Sequence, residues 1–343
     1  MQVQLPDWVL SLAKTPNSIL AATSKGTIHL LPFDSTKWPS NTENFTPQHK
    51  STIHKILTTQ NDPYTAYTAS EDSTVKIWDL RQPLTSPTAN LTNSRNLPFF
   101  SIDVNHNKLA AGSQLKGVDS ELVIFDIRKT DHSLRSFIDS HNDDITVTKF
   151  HPTQSNLLLS GATDGYVNIY DLNISNEDDA MLQCITFDSV HSANWLSSNR
   201  ITVLSHIETF GIFTLASEQE INGESATDTS TDNIFGDIRD KWNCEYVVDI
   251  FPPGYIVTGK NSTGELNVRS LDPITETIGD ILWTAPPDWH NNEVVRDWIC
   301  AEGVAYSAGE DCKIWATQCP LEDTTNSFFQ SYSTSQDLEP DQT

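Results

Sequence analysis

The chain repeats a short strand-like motif seven times along its 343 residues. Each copy follows a turn and alternates apolar residues over five positions, and three copies end in Asp, a pattern typical of a β-strand. Successive copies lie 43 to 56 residues apart, measured between their fourth residues. A near-constant period of this length indicates a repeat architecture. The fourth residues are Leu30, Trp78, Phe125, Tyr170, Phe213, Arg269 and Trp315.

The unit around residues 143–171 shows the structure expected of each repeat. "DDITVTKF", "LLLSGA" and "YVNIYD" read as three strands with turns between them, and the segment before the next unit can supply a fourth. Four short antiparallel strands per unit, repeated seven times, predict an all-β, seven-bladed β-propeller. Two segments fit the strand that closes the ring: "QVQL", residues 2–5, and "SFFQSYS", residues 327–333.

Two polar segments interrupt the repeat. Residues 218–241 contain seven acidic and two basic residues, and residues 320–343 contain five acidic residues and no base. Such composition buries too little apolar surface to offset chain entropy. We therefore predict a propeller over residues 1–319 with a partly mobile acidic insert at 218–241, followed by a disordered acidic tail at 320–343.

The net charge of −25 constrains the partner. The insert and the tail carry −5 each, which leaves −15 on the propeller body. Nucleic-acid binding draws on Lys and Arg to neutralise phosphates, so we expect no direct nucleic-acid contact. A basic protein partner fits the charge, and solubility alone is the alternative.

The sequence also indicates an intracellular protein. No run approaches the roughly 20 apolar residues of a membrane span, and the first ten residues lack the features of a signal peptide. The five cysteines form no CxxC pair, which favours reduced thiols over disulfides or a zinc site. We expect no membrane contact.

The segments "SEDSTVKIWDLR" and "GATDGYVNIYDL" resemble WD40 repeats. In that family a His before the innermost strand, a Ser or Thr on the second strand, an Asp in the following turn and the Trp of the WD pair form a structural hydrogen-bonded tetrad. The resemblance implies three such tetrads here, while the fifth and sixth units show none. The tetrads are His49, Thr68, Asp72 and Trp78; His141, Ser160, Asp164 and Tyr170; and His290, Ser307, Asp311 and Trp315.

Three longer stretches are similar to the WD repeat-containing protein 89 family and its fungal members: residues 140–181, "GDIRDKWNCEYVVD" and "AGEDCKIW". The resemblance implies a propeller that lies in the nucleus rather than the cytoplasm, and it implies no reaction. We expect the protein itself to be monomeric.

The stretch "HNDDITVTKFHP" raises the question of a metal or acid/base site. A strand of seven residues spans about 20 Å, so His141 and His151 lie at opposite ends of it and do not share a metal. The sequence contains no GxSxG, HExxH or phosphate-binding GxxxxGK motif. We therefore predict a noncatalytic protein without metal, cofactor or small-molecule substrate.

Loops at one rim of the propeller are the predicted partner site. The loops that carry the tetrad histidines, together with the tight turns, place polar and acidic side chains there. Carboxylates at this rim would attract Lys and Arg side chains; an ordinary solvated rim is the alternative. The residues are Glu71, Asn142, Asp143, Asp144, Asn292 and Glu293.

The segment "FGDIRDKW" stands out within the polar insert. Its apolar residues have near-helical spacing, so the segment either contacts a partner or docks onto the propeller itself. The residues assigned to the partner site are Ile238, Arg239 and Trp242.

Two consecutive units end in "IWDLR" and "IFDIR" at the opposite rim. This W/F-D-x-R pattern resembles the one by which some WD40 proteins act as substrate receptors of cullin-based ubiquitin ligases. The alternative is that each Arg pairs with a neighbouring carboxylate. The residues are Trp78, Asp79, Arg81, Phe125, Asp126 and Arg128.

Overall fold

The computed structural model describes residues 1–34, 38, 48–216, 232–324 and 328 of the chain. These residues form seven antiparallel sheets that follow one another along the chain as the blades of a β-propeller. Six sheets have four strands, and the sheet of the first blade has three within the described residues. The predicted seven-bladed all-β fold is confirmed.

Blades 1 to 4 each pair strands in sequence order, with the first strand nearest the axis. Blade 1 contains β2 (Val9–Lys14), β3 (Ser18–Thr23) and β4 (Ile28–Pro32). Blade 2 contains β5 (Ile53–Thr58), β6 (Thr65–Ser70), β7 (Val75–Asp79) and β8 (Ala89–Leu91). Blade 3 contains β9 (Phe99–Asn105), β10 (Lys108–Ser113), β11 (Leu122–Asp126) and β12 (Lys129–Phe137). Blade 4 contains β13 (Ile145–Phe150), β14 (Leu157–Ala162), β15 (Tyr166–Asp171) and β16 (Met181–Thr186), with helix α1 (Glu177–Ala180) before β16.

Blades 5 to 7 complete the ring, and the last blade borrows its outer strand from the chain start. Blade 5 contains β17 (Val190–Ser197), β18 (Arg200–Ser205), β19 (Thr209–Thr214) and β20 (Asn233–Asp237), followed by helix α2 (Arg239–Trp242). Blade 6 contains β21 (Tyr246–Phe251), β22 (Tyr255–Lys260), β23 (Glu265–Leu271) and β24 (Ile278–Thr284). Blade 7 follows a 3-10 helix (Trp289–Asn292) and contains β25 (Val295–Ala301), β26 (Val304–Gly309), β27 (Lys313–Gln318) and β1 (Gln2–Gln4).

The core lies between neighbouring blades. Every residue of β3 and β14 is buried, because a second strand is covered on both faces by adjacent blades. Between blades 4 and 5, Val147 and Val190 belong to one apolar cluster. A Cβ at Gly161 would come within 2.8 Å of both valine side chains, so the close approach of these blades requires glycine there.

The outer edge of blade 1 is protected by two side chains. Ile28 donates its backbone N–H to Gln48 Oε1 at 2.7 Å, and the Trp38 indole donates to the Pro32 carbonyl at 2.8 Å. Pro32 itself has no N–H to offer a further strand. Both ends of this three-stranded edge are therefore occupied.

The N-terminal strand closes the ring. β1 pairs with β27 with Gln2 opposite Trp315, and the N-terminal ammonium of Met1 donates to the Ala316 carbonyl at 2.7 Å. "QVQL" is thus the closing strand, and it joins the blade formed by the last repeat. Of the alternative segment "SFFQSYS", only Phe328 lies within the described residues, and it packs in the core between blades 5 and 6.

The polar segments divide into described and undescribed parts. In the insert, residues 232–242 form β20 and α2, whereas residues 217–231 lie outside the described residues. In the predicted tail, residues 320–324 pack on the propeller: Thr324 N–H donates to the Cys300 carbonyl at 2.9 Å and Glu322 N–H to Tyr255 Oη at 3.0 Å. Residues 325–327 and 329–343 lie outside the described residues.

Each innermost strand carries a β-bulge at the same place. The register with the second strand skips one residue in all seven blades, so two residues oppose one partner. A bulge changes the direction of the side chains around it, here where the strands line the central channel. The skipped residues are Leu10, His54, Phe100, Thr146, His191, Val248 and Arg296.

Candidate functional site

The tetrad of blade 2 forms as the resemblance implies. His49 lies 3.0 Å from Asp72 through Nδ1 and 2.7 Å from Thr68 Oγ1 through Nε2, and the Trp78 indole donates to Thr68 Oγ1 at 3.0 Å. The imidazole and the indole are buried. The four side chains fix the loop before β5 against the turn after β6, on what we call the tetrad face.

The electrostatics of this tetrad favour a neutral imidazole beside a charged carboxylate. Burial lowers the pKa of His49, and Asp72 opposes that shift only in part. Burial alone would raise the pKa of the Asp72 carboxyl, but hydrogen bonds from His49, Thr74 and the Lys50 N–H outweigh it and hold the pKa well below its usual range. The arrangement is structural, because all its polar atoms are used within the blade.

Blade 4 repeats the arrangement with Tyr in place of Trp. His141 lies 3.0 Å from Asp164 and 2.7 Å from Ser160 Oγ, and Ser160 is 3.3 Å from the Tyr170 hydroxyl. The predicted members of this tetrad therefore contact one another. His141 has a structural role in the tetrad.

The tetrad of blade 7 differs from the prediction. His290 bonds Asp311 and Ser307, both at 2.8 Å, but the indole that donates to Ser307 belongs to Trp289, at 2.7 Å. Trp315 instead donates to Asp311 Oδ2 at 2.9 Å. Trp315 thus joins the network through Asp311, and Trp289 takes the position beside the Ser307 hydroxyl that the prediction gave to Trp315. An aromatic residue directly before the tetrad histidine was the signal in the sequence.

His151 stabilises the turn at the far end of β13. Its Nδ1 accepts the Gln154 N–H at 2.9 Å, and its ring packs edge-on against Trp195 of blade 5 at 4.7 Å. In the described ranges, no group of three or more His, Cys, Asp or Glu side chains is arranged to hold a metal ion.

The predicted acidic rim lies on the tetrad face. Some of its side chains form hydrogen bonds within the protein, and others are exposed. Glu71 accepts hydrogen bonds from Ser51 Oγ at 2.8 Å and lies 3.1 Å from His54 Nε2. Asp144 accepts the Leu115 N–H at 2.8 Å, and Asp143 accepts the N–H of Asp144 at 2.9 Å. Asn142, Asn292 and Glu293 are exposed.

The "FGDIRDKW" segment docks on the propeller. Ile238 and Trp242 are buried in the cluster between blades 5 and 6, and Phe235 stacks on Phe210 at 5.1 Å. The backbone carbonyl of Trp242 accepts a hydrogen bond from Arg269, the residue that replaces Trp in the sixth repeat, at 2.9 Å. Ile238 and Trp242 are therefore not available to a partner here.

Both W/F-D-x-R units form the same compact turn on the face opposite the tetrads. Arg81 donates two side-chain hydrogen bonds to Asp79, and Arg128 donates two to Asp126, at 2.7 to 3.0 Å. Trp78 and Phe125 are buried. Arg239 and Asp237 form a third such turn on the tetrad face, which the repeat alignment did not reveal.

No helix among the described residues is long and apolar enough to cross a membrane.

Comparisons with known proteins agree with this geometry. A family model for the WD domain, G-beta repeat, matches residues 41–79 and 132–171. The uncharacterized WD repeat-containing protein YNL035C of Saccharomyces cerevisiae is 40% identical over 95% of this chain and 83% of its own length. The WD repeat-containing protein 89 homolog of Dictyostelium discoideum is 31% identical over 90% of this chain and 81% of its own length. The uncharacterized WD repeat-containing protein C63.06 of Schizosaccharomyces pombe is 30% identical over 53% of this chain and 56% of its own length.

Two of these relatives match 90% or more of this chain, and the family model covers the repeats whose tetrads form as expected. WD40 propellers generally serve as non-enzymatic interaction scaffolds. The chain thus belongs to the WD repeat proteins, as a seven-bladed WD40 propeller similar to WD repeat-containing protein 89.

Proposed function

We propose that the protein is a noncatalytic interaction scaffold that binds a Lys- and Arg-rich protein partner on its tetrad face. The observation that carries this proposal is a set of carboxylates without cations. Asp143 and Asp144 in blade 4 and Glu293 in blade 7 form no salt bridge with any described residue. Such carboxylates remain available for charge-assisted hydrogen bonds.

The net charge of −25 supports the same partner class. A negative surface accelerates the encounter with a basic partner over distances of about 8 to 10 Å at physiological ionic strength. Carboxylates at the tetrad face then determine where the partner binds. An escort or docking role for a basic protein segment follows from these two features.

The test is a pull-down from cell extract with the full chain and a reversed-charge variant. Asp143→Lys with Glu293→Lys should lose high-pI partners, and retention by the wild type should fall as salt rises. Asp178→Lys with Asp179→Lys is the matched control, because both residues are exposed on the opposite face and the charge changes equally. Partners that are neutral and indifferent to salt and to the first variant would contradict the proposal.

A second candidate is a substrate receptor of a cullin-type ubiquitin ligase. It is favoured by the exposed guanidinium groups of Arg81 and Arg128, whose side chains are 67% and 66% exposed on one face. Arg81→Ala with Arg128→Ala should abolish capture of the ligase adaptor. Arg239→Ala is the control, since it removes the same Asp-x-Arg turn from the other face. Equal capture by the wild type and the double variant would exclude this role.

A further inference from the structure

A cavity of about 860 Å³ lies at the end of the central channel away from the tetrad face. The turns between first and second strands form much of its wall, and Asp323, Thr324 and Phe328 of the C-terminal segment line it as well. Small-molecule sites commonly fall between about 300 and 1,000 Å³. The volume therefore suits a ligand or an inserted side chain.

Carboxylates and ammonium groups from six blades line this cavity. Asp103, Asp249 and Asp297 line it from blades 3, 6 and 7, and Lys55 and Lys149 line it from blades 2 and 4. Lys14 lines it as well and pairs with Asp323, and Asp62 adds a further carboxylate, so five carboxylates face three ammonium groups. A buried carboxylate without a cation is costly, so this excess is significant.

Asp103 and Asp297 connect neighbouring innermost strands. Asp297 Oδ2 accepts the Leu12 N–H at 2.8 Å across the junction of blades 7 and 1, with Lys55 Nζ 3.9 Å away. Asp103 Oδ2 accepts the Phe150 N–H at 2.7 Å across the junction of blades 3 and 4. These two acids have a structural role that explains their position.

Asp249 is different. Its Oδ1 accepts both the Ser192 hydroxyl at 2.6 Å and the Ile250 N–H at 2.7 Å. Its Oδ2 has no hydrogen-bond partner, and the carboxylate has no salt bridge, among the residues that the structure describes. One carboxylate oxygen at the cavity wall is therefore free to bind a ligand.

Burial shifts the protonation equilibria of Asp297 and Asp103. Burial raises the pKa of Asp297, which Lys55 offsets only in part, and the charge of Asp249 raises it further. Burial also raises the pKa of Asp103, against the opposing effect of Lys149. In both acids the effect of burial on the pKa exceeds the opposing effect of the nearby lysine.

We infer that this cavity binds a ligand with a primary ammonium or guanidinium group, which forms a charge-assisted hydrogen bond with Asp249 Oδ2. The group comes either from a free polyamine or from a Lys or Arg side chain of a bound polypeptide. Leu57 and Phe251 line the same cavity and offer apolar surface to the aliphatic stem of such a ligand. An anionic ligand would meet an excess of carboxylates instead.

Titration calorimetry on the full chain in 150 mM salt tests this site with two probes, spermidine and Nα-acetyl-lysine methylamide. At least one probe should bind with one-to-one stoichiometry, and Asp249→Asn should weaken binding by about tenfold or more. Asp178→Asn removes an exposed carboxylate on the same side of the molecule and should leave the affinity unchanged. Binding of spermidine alone identifies a free polyamine, and binding of the lysine derivative alone identifies a polypeptide side chain.

Lys149→Gln provides a second measurement that does not depend on Asp249→Asn being folded. Removal of this ammonium makes the cavity more negative and should tighten binding of the same probe. The inference fails if neither probe binds at 5 mM, or if Asp249→Asn binds as the wild type does. The cavity lies away from the tetrad face, so Asp143→Lys with Glu293→Lys should leave probe binding intact while abolishing the salt-sensitive pull-down.

Discussion

The indole of Trp289 donates a 2.7 Å hydrogen bond to the Ser307 hydroxyl in blade 7. In blade 2 the equivalent bond, to the Thr68 hydroxyl, comes from the indole of Trp78. The two tryptophans come from different places in their repeats. Trp289 directly precedes the tetrad histidine, whereas Trp78 lies on the third strand. The tetrad hydroxyl therefore accepts an indole N–H in both blades, although the tryptophan comes from a different position in the repeat.

Trp289→Phe should lower the free energy of unfolding by about 1 to 2 kcal/mol, because the buried Ser307 hydroxyl loses a donor and the core loses volume. Trp315→Phe removes the bond to Asp311 at a less buried position and should cost less. Urea unfolding followed by fluorescence compares the two variants. A larger loss for Trp315→Phe would mean that Trp315 is the tetrad residue after all.

Thr68→Val should destabilise the protein by about 1 to 3 kcal/mol, since it leaves the buried His49 Nε2 and Trp78 Nε1 without their common partner. Thr65→Val is the matched control, because the Thr65 hydroxyl bonds Asp62 at an exposed site. Thermal unfolding of both variants measures the difference. Equal melting temperatures would show that the tetrad contributes nothing to stability.

His29 should contribute to acid lability. Burial lowers its pKa from 6.5 to about 4, so the unfolded chain takes up a proton at higher pH than the folded one. Stability from this group is complete above pH 6.5 and is lost as the pH falls towards 4, by about 3 kcal/mol in total. His29→Gln should therefore show a smaller loss of unfolding free energy between pH 7.5 and pH 4. An unchanged loss would assign the acid lability to other groups.

Phe328→Ala should cost about 3 kcal/mol or more, because Phe328 is buried between blades 5 and 6 with Ile250 and Leu271. Leu134→Ala removes a half-exposed side chain of β12 and should cost much less. Chemical unfolding of the full chain gives both values. A negligible effect of Phe328→Ala would show that the C-terminal segment does not pack on the propeller in solution.

The blade count could be predicted because each third strand carries its own apolar alternation and ends in a large residue, as in "VKIWD" and "LVIFD". That signal is local, so one sequence suffices to find it. The tetrads of His49 and His141 could be predicted for the same reason, with the help of the family pattern. The role of Trp289 was missed, because the family pattern places the tryptophan on the third strand and not directly before the histidine.

Long-range features lacked a local signal. The bulges at His54 and Arg296 have no recognisable sequence pattern, since they arise where seven strands converge on one axis. The burial of Ile238 and Trp242 depends on a pocket made by blades 5 and 6. Phe328 was predicted to lie in a disordered tail, because the average composition of residues 320–343 does not reveal that one aromatic side chain is buried.

The pairing of β1 with β27 also determines when the protein can finish folding. Residues 2–4 leave the ribosome long before their partners, residues 313–315. The first strand must therefore wait, unpaired, while six blades are made. A chain that stops before residue 313 cannot complete its ring, even if its other blades fold correctly.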